Sequence, residues 1–594
     1  MQSFKRISAL ILSVIFVFAM MFTASAYDIV LESDATTPTE GHVYDIYQIF
    51  RGTLAEGVLV DIKYGANYLP DGKTTDDAVA SDVIDQIGDD ARAFAKKLLN
   101  EQLITGEPVA VLSAENDWTA KDLEAGYYLV NEQYGEDVPA GQTISAYIVK
   151  VLDDVKMTPK SGITSIDKII SGDNNSIDGD ITLDGKFDNV SVGTNVQFLL
   201  TAPVLTNAKD FDFCYFIIND TLCPGFTFNN DISVTIGGED AVLNEDYTVF
   251  TGDEADGYTF RVALLDARSH SGQDVAITYS AELNDKAVIG ELDGNPNEAD
   301  LVYSNNPNFD YANTHTSGKP SIGQSVPLGE TVKVYTRTYT TGIKVVKVDE
   351  NGNALKGAKF ELKGENVTKV IVKREVFTES ESGMYWLLNN GFYTKDAPLT
   401  EAKYVVKTDN RDGGYVLDGE AYRVATNDEL ADESVTLYTM IEPNSNLYND
   451  INTKYEKTVE PTYVDVRTDK KIEAEVGENG VIIFEGLGEG TYTITETVTP
   501  AGYNTIKAFD IVVSWEAPEA GSDDCKWTVS VSDDGKPLSI NEEGVFELTV
   551  VNHSGIKLPD TGGIGTTIFY IVGGVLVLGA VVLLVTRKRM NKDN

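Results

Sequence analysis

The chain has 594 residues with 93 acidic against 47 basic side chains, a formal charge of -46. A surface so acidic excludes nucleic acid as a natural partner and favours solubility and mutual repulsion. Three cysteines rule out a disulfide-stapled framework, and four histidines leave little material for a catalytic metal centre.

At the amino end Lys5 and Arg6 precede an apolar segment from Ile7 to Phe22, and Ala24-Ser25-Ala26 supplies the small residues of a cleavage site. Residues 1–26 read as a secretory signal peptide, so the mature chain starts at Tyr27 outside the cell. The length that follows suggests three or four domains. Short β-branched or aromatic runs separated by turns, such as Asn195–Leu200, Tyr258–Leu265, Val275–Ala281 and Ile343–Val348, predict an all-β chain of tandem immunoglobulin-like sandwiches. The clearest helix is predicted within Asp76–Gln102, where Val79, Val83, Ile87, Phe94 and Leu98 recur at helical spacing. Domain boundaries are expected near Pro159-Lys160 and Thr341-Gly342, giving units 27–160, 161–341 and 342–556. Residues 370–482 form either an insertion in the last unit or a small domain of their own. Cys214 and Cys223 are close enough in sequence to pair, although strand and turn account for them more simply.

Strand side chains alternate faces with period two. In the last unit Lys347 then shares a face with Ile343 and Val345, Glu496 with Tyr492, Ile494 and Val498, and Asn552 with Phe546, Leu548 and Val550. Burying any of these polar groups alone is costly. Together they solve the problem: burial lowers the lysine pKa and raises that of the carboxyl group. A neutral amine can attack the Asn552 carboxamide while protonated Glu496 hydrogen-bonds to the carbonyl oxygen and shuttles protons. The product is a Lys–Asn amide, with ammonia released. On faces alone a buried Lys–Glu ion pair fits equally well. In the middle unit Lys168 shares a face with Ile166 and Ile170, Asp220 with Phe216, Ile218 and Leu222, and Asn305 with Leu301 and Tyr303.

The carboxyl end reads Leu558-Pro559-Asp560-Thr561-Gly562, then an apolar run from Ile564 to Val585, then Arg587, Lys588 and Arg589. The run is long enough to cross a bilayer, and its basic end stays cytoplasmic. Motif, span and tail in this order resemble the sorting signal (558–594) of Gram-positive surface proteins. That resemblance implies cleavage between Thr561 and Gly562 by a sortase, with transfer of the threonyl carboxyl to an amine.

Other phrases extend the resemblance to sortase-assembled major pilins. The sequence around Glu496 resembles the E-box of CnaB-type isopeptide domains, which implies Lys347 as amine, Glu496 as acid and Asn552 as acceptor. Ile218-Asn219-Asp220-Thr221-Leu222 and Tyr303-Ser304-Asn305-Asn306-Pro307 resemble a CnaA-type domain. There the roles fall on Lys168, Asp220 and Asn305, with Asn306 as an alternative acceptor and Glu282 as a fallback acid. Gly41–Gly52 and Gly126–Val130 are similar to the N-terminal domain of such pilins, and His42 reads there as a strand-end residue. Val155-Lys156-Met157-Thr158-Pro159-Lys160 resembles the pilin motif, with Thr158 in place of the usual tyrosine. Its lysine, Lys160 with Lys156 as competitor, is the expected amine for the sortase-bound threonine of the next copy. The implied partners are a class C pilin-type sortase, a housekeeping sortase, other copies of the chain, minor or tip pilins, peptidoglycan and a host or cell-surface ligand. No cofactor is implied. No enzyme site is expected either, since the only chemistry is used up in making the protein. The competing reading is a monomeric wall-anchored adhesin with the same domains.

Overall fold

A computed structural model describes residues 26–32, 42–133, 139–159, 161–171, 185–290, 293–321, 325–365, 367–407, 411–518, 525–532, 537–541 and 544–555. The signal peptide, Lys160 and the whole sorting signal lie outside the described residues. Among those described, no helix is long and apolar enough to cross a membrane. The chain is all-β in build and forms two compact units. The first runs to Thr341 and takes in Gly486–Glu489 and Ser514–Trp527; the second comprises Gly342–Glu485, Gly490–Val513 and the chain from Thr528.

The first unit begins with a sheet in which Tyr44–Ala55 lies between Val58–Tyr64 and Gly126–Glu132, with Ala146–Val151 beyond. The helix Ser81–Asn100, kinked at Asp90, falls inside the segment whose apolar spacing predicts it. Its Ile87, Phe94, Ala95 and Leu98 pack on Ile49, Phe50, Tyr64 and Leu129. A second small sheet places Tyr27–Leu31 antiparallel to Thr119–Leu123 and parallel to Val155–Met157. The segment leading to Lys160 is thereby tied to the start of the mature chain, and Glu32 N–H donates to Met157 O at 2.8 Å.

Farther along the same unit two sheets face each other. One has Phe216–Leu222 between Asn295–Ser304 and Phe260–Leu264; the other has Asn195–Pro203 between Asp274–Leu283 and Asp167–Ile170. Phe260 of the first meets Phe228 and Tyr279 of the second at 5.1 and 4.8 Å between ring centroids. Cys214 and Cys223 are free thiols. Cys214 and Cys223 flank the fully extended Phe216–Leu222 strand, which holds them apart, so the local pairing considered from sequence does not occur.

The second unit is also a two-sheet sandwich. Thr341–Asp349 lies between Val481–Leu487 and Phe546–Asn552, and runs parallel to the latter with Lys347 opposite Val550 and Asp349 opposite Asn552. The facing sheet centres on Gly490–Val498 between Lys359–Lys363 and Phe509–Glu516. Two eleven-residue strands, Lys369–Glu379 and Tyr455–Asp465, pair along their full length. Between them the chain builds a four-stranded sheet with a small core of Val416, Ala425 and Leu437. Its five-residue helix Asn427–Ala431 is started by a capping box of Thr426 and Glu429.

Candidate functional sites: buried amines beside carboxamides

In the second unit the alternating pattern of Phe546–Asn552, with every second residue buried, turns the Asn552 side chain inward. Lys347 and Asn552 are fully buried and Glu496 is 4% exposed. Lys347 Nζ donates to Asn552 Oδ1 at 2.6 Å and to Val550 O at 3.1 Å. Asn552 Nδ2 donates to Glu496 Oε1 at 2.8 Å, and Ile506 N–H donates to Glu496 Oε2 at 3.0 Å. An ammonium has only donors and a carboxylate only acceptors, so both contacts fix the amide oxygen toward the lysine and its nitrogen toward the glutamate. The carboxyl group therefore sits on the amide nitrogen. The carbonyl oxygen, its partner in the sequence reading, is already taken by Lys347. Desolvation lowers the Lys347 pKa to about 8, against the opposing pull of the Glu496 charge. The inward face ends at Glu496, because Val498 is 42% exposed.

The titration of Lys347 has a measurable consequence. Burial holds the folded pKa of the Lys347 amine near 8 against an ordinary 10.5, and Asn552→Ala keeps that amine while removing the neighbouring carboxamide. Between those values the unfolded chain binds more protons than the folded one, so stability rises with pH across that window and the contribution is flat below it. Urea midpoints measured from pH 7 to 10 are expected to climb in Asn552→Ala. The slope is expected to vanish when Lys347→Met is added.

The first unit holds the other network. Lys168 and Asp220 are both fully buried and form an ion-paired contact between the two facing sheets. Lys168 Nζ also donates to Tyr279 Oη at 2.8 Å, Tyr279 Oη–H donates to Asp220 Oδ2 at 2.8 Å, and Asn297 Nδ2 donates to Tyr279 Oη at 2.7 Å. Phe198 and Tyr279 present ring faces to the amine at 5.5 and 5.4 Å. Burial lowers the lysine pKa and raises that of Asp220, each against the charge of the other, so both are driven toward their neutral forms. Asp220 Oδ1 and Asn297 Oδ1 are buried without a hydrogen-bond partner.

Of the three residues expected here, the structure brings Lys168 and Asp220 together and leaves Asn305 apart. Asp220 lies opposite Ala299. Asn305 is six positions farther on, about 20 Å at the rise of an extended strand. Its carbonyl accepts the Ile144 N–H at 2.8 Å, and its Oδ1 has no partner. Asn306 is occupied in a turn, accepting the Asn308 N–H at 3.0 Å. Glu282 alternates with the inward-facing Tyr279, Ala281 and Leu283 and points away from the amine. The carboxamide on the network is that of Asn297, which belongs to the same face as Leu301, Tyr303 and Asn305 but lies at its other end. Asn295, one step beyond, is already committed to Val288 and Thr338.

The flanks of the linking segment are well anchored. After Lys160, Thr143 N–H donates to Gly162 O at 3.0 Å, Gly162 N–H to Thr143 Oγ1 at 2.6 Å and Thr164 N–H to Gly141 O at 2.7 Å. Lys156 is exposed and paired with Glu32 at 2.5 Å, a hydrogen bond that raises its pKa. His42, read from sequence as a strand-end residue, is buried with Nδ1 on Glu132 and Nε2 at 2.5 Å from Gln142 Oε1. Burial disfavours its charged form, but the Glu132 and Gln142 contacts prevail and raise its pKa. The 90 residues between His42 and Glu132 hid this pairing from local pattern reading.

Residues 550–592 match the family described as the LPXTG cell wall anchor motif, and residues 425–524 match the prealbumin-like fold domain family. The trypsin-resistant surface T6 protein of Streptococcus pyogenes serotype M6 is 25% identical over 438 residues, covering 72% of this chain and 70% of that protein. The T6 backbone pilin structure from the same serotype covers 89% of this chain and 98% of its own, with 16% identity and a TM-score of 0.49. The full-length major pilin SpaD of Corynebacterium diphtheriae covers 90% and 98%, with 16% identity and a TM-score of 0.39. The chain is a cell-wall-anchored surface protein processed at an LPXTG motif. The two solved structures it resembles are a backbone pilin and a major pilin.

Proposed function

We propose that this protein forms the shaft of a pilus in which every joint, between and within subunits, is an amide. A pilin-type sortase cuts Thr561–Gly562 and passes the Thr561 carboxyl to Lys160 of another copy; a housekeeping sortase fixes the last copy to peptidoglycan. Lys160 is favoured over Lys156 because the latter is held by Glu32 as a paired ammonium, a poor nucleophile. Pro159 and the residue before it favour an extended approach to Lys160.

Inside each subunit, Lys347 joins Asn552 and Lys168 joins Asn297. The observation that carries this reading is the fully buried Lys347 amine 2.6 Å from the Asn552 carboxamide, with Glu496 on the leaving nitrogen. The neutral amine attacks Cγ of Asn552, forming the C–N bond. Its proton moves to Glu496 and on to Nδ2, the Cγ–Nδ2 bond breaks, and ammonia leaves with Glu496 restored. No oxidant or cofactor is needed. In the first unit Asp220 plays the acid, and Tyr279 bridges amine, acid and carboxamide.

The test of the assembly is a denaturing immunoblot of enzymatically released cell wall from the native organism. A high-mass ladder that collapses to monomer in Lys160→Ala is the expected result. A single monomer band in the unaltered protein would overturn the shaft and favour the wall-anchored adhesin. The acceptor in the first unit is tested separately by intact mass: Asn297→Ala is expected to abolish one ammonia loss and Asn305→Ala to leave it in place. The reverse outcome would return the role to Asn305.

A further inference from the structure

A third set of the same chemical groups sits in the second unit, away from both networks. Glu375, on Lys369–Glu379, is 7% exposed although its ribbon neighbours are half-exposed or open. Its Oε1 takes Lys457 Nζ at 2.5 Å and its Oε2 takes Asn479 Nδ2 at 2.8 Å. The Lys457 side chain is 18% exposed and Asn479 3%. Glu375 lies opposite Val459, two residues from Lys457, so the amine and the carboxylate share one face of the paired strands. Asn479 is fixed by a tight turn. Gly477 N–H donates to Val481 O at 2.8 Å, Gly480 N–H to Gly477 O at 2.9 Å and Val481 N–H to Asn479 Oδ1 at 3.2 Å. That turn is docked on the central strand through Lys347 N–H to Gly480 O at 2.8 Å.

We infer that Lys457 and Asn479 are a further self-crosslinking site, with Glu375 as the proton carrier. One carboxylate holds both the attacking amine and the leaving nitrogen, as Glu496 holds the leaving nitrogen of Asn552. The amine attacks Cγ of Asn479; the new C–N bond replaces Cγ–Nδ2; the amine proton passes through Glu375 to Nδ2 and leaves as ammonia. The bond closes a loop over the return strand Tyr455–Asp465 and the strand Lys471–Glu475 that follows it. The return strand Tyr455–Asp465 becomes joined to the turn that leads into Val481–Leu487, so the two long strands cannot unzip from the base. An ordinary ion pair capped by an asparagine would place the same groups together without this consequence.

Loss of ammonia alone does not identify the bond, because Asn479 precedes Gly480 and asparagine–glycine pairs also lose ammonia by backbone attack. The test is a complete tryptic digest of the denatured, secreted ectodomain, read by tandem mass spectrometry. Expected are an uncut Lys457–Thr458 bond and a branched peptide joining Lys457 to Asn479. Both signs are expected to disappear in Asn479→Ala and in Glu375→Gln, the second of which keeps the shape of the side chain. Cleavage after Lys457 with a linear Asn479 peptide would overturn the inference. Branched peptides at Lys347 and Lys168 are read in the same digest, so the earlier assignments stand or fall independently.

Discussion

Asp220→Ala is expected to add one ammonia to the intact mass of the ectodomain and to lower the melting temperature of the first unit more than any other single change in it. Two losses combine. The crosslink between residues 168 and 297 is absent, and closing a loop of that length contributes about 5 kcal/mol on chain-entropy grounds. Lys168, fully buried between the sheets, is left without its acid, and breaking a buried pair in this way costs about 3–5 kcal/mol. Even half of that total corresponds to a shift of about 6–8 °C for a unit of roughly 300 residues. Asp220→Asn separates the two contributions. It preserves shape and hydrogen bonding but cannot carry the proton, so it is expected to show the full mass change and a smaller fall in melting temperature. An Asp220→Ala protein that still falls short of its own sequence mass by the same number of ammonias as the unaltered protein would refute the assignment of Asp220.

Glu496→Ala is the corresponding change in the second unit, with a different expected signature. Lys347 keeps its contacts to Asn552 Oδ1 and Val550 O, so the groups stay adjacent while the proton route is gone. Against its own sequence mass, the variant is expected to show one fewer ammonia lost than the unaltered protein does. The chain between the partners, 205 positions apart, regains loop entropy worth about 5 kcal/mol in the unfolded state. Calorimetry should then show the second unit melting separately and earlier, with the first unit unchanged. A single unshifted transition together with an undiminished ammonia deficit against the variant's own sequence mass would show that Glu496 is dispensable.

Much of this arrangement is legible in the strand alternation. Tyr492, Ile494 and Glu496, like Phe546, Leu548, Val550 and Asn552, are buried as a period of two requires. Alternation fixes which face a side chain occupies but not how far along that face it meets a partner strand. Asn297 and Asn305 satisfy the rule equally. Only the register that sets Asp220 opposite Ala299 separates them, and register is a property of paired strands that one strand does not encode. The same limit hid Glu375, Lys457 and Asn479, which stand in a segment of mixed polarity and become neighbours only when two long strands pair. The helix Ser81–Asn100 was easier, because its apolar spacing is local and repeats over several turns.

The parallel pairing of Thr341–Asp349 with Phe546–Asn552 sets the route of tension through the second unit. With Lys347 joined to Asn552, a pull entering at Thr341 crosses to the last strand after a few residues and leaves toward the sorting motif. Everything between Val348 and Val551 hangs on the shaft as a closed loop outside that route. A protease that cuts once in the inserted segment would therefore nick the surface of the fibre without severing it. The insertion can be clipped while the polymer keeps its length.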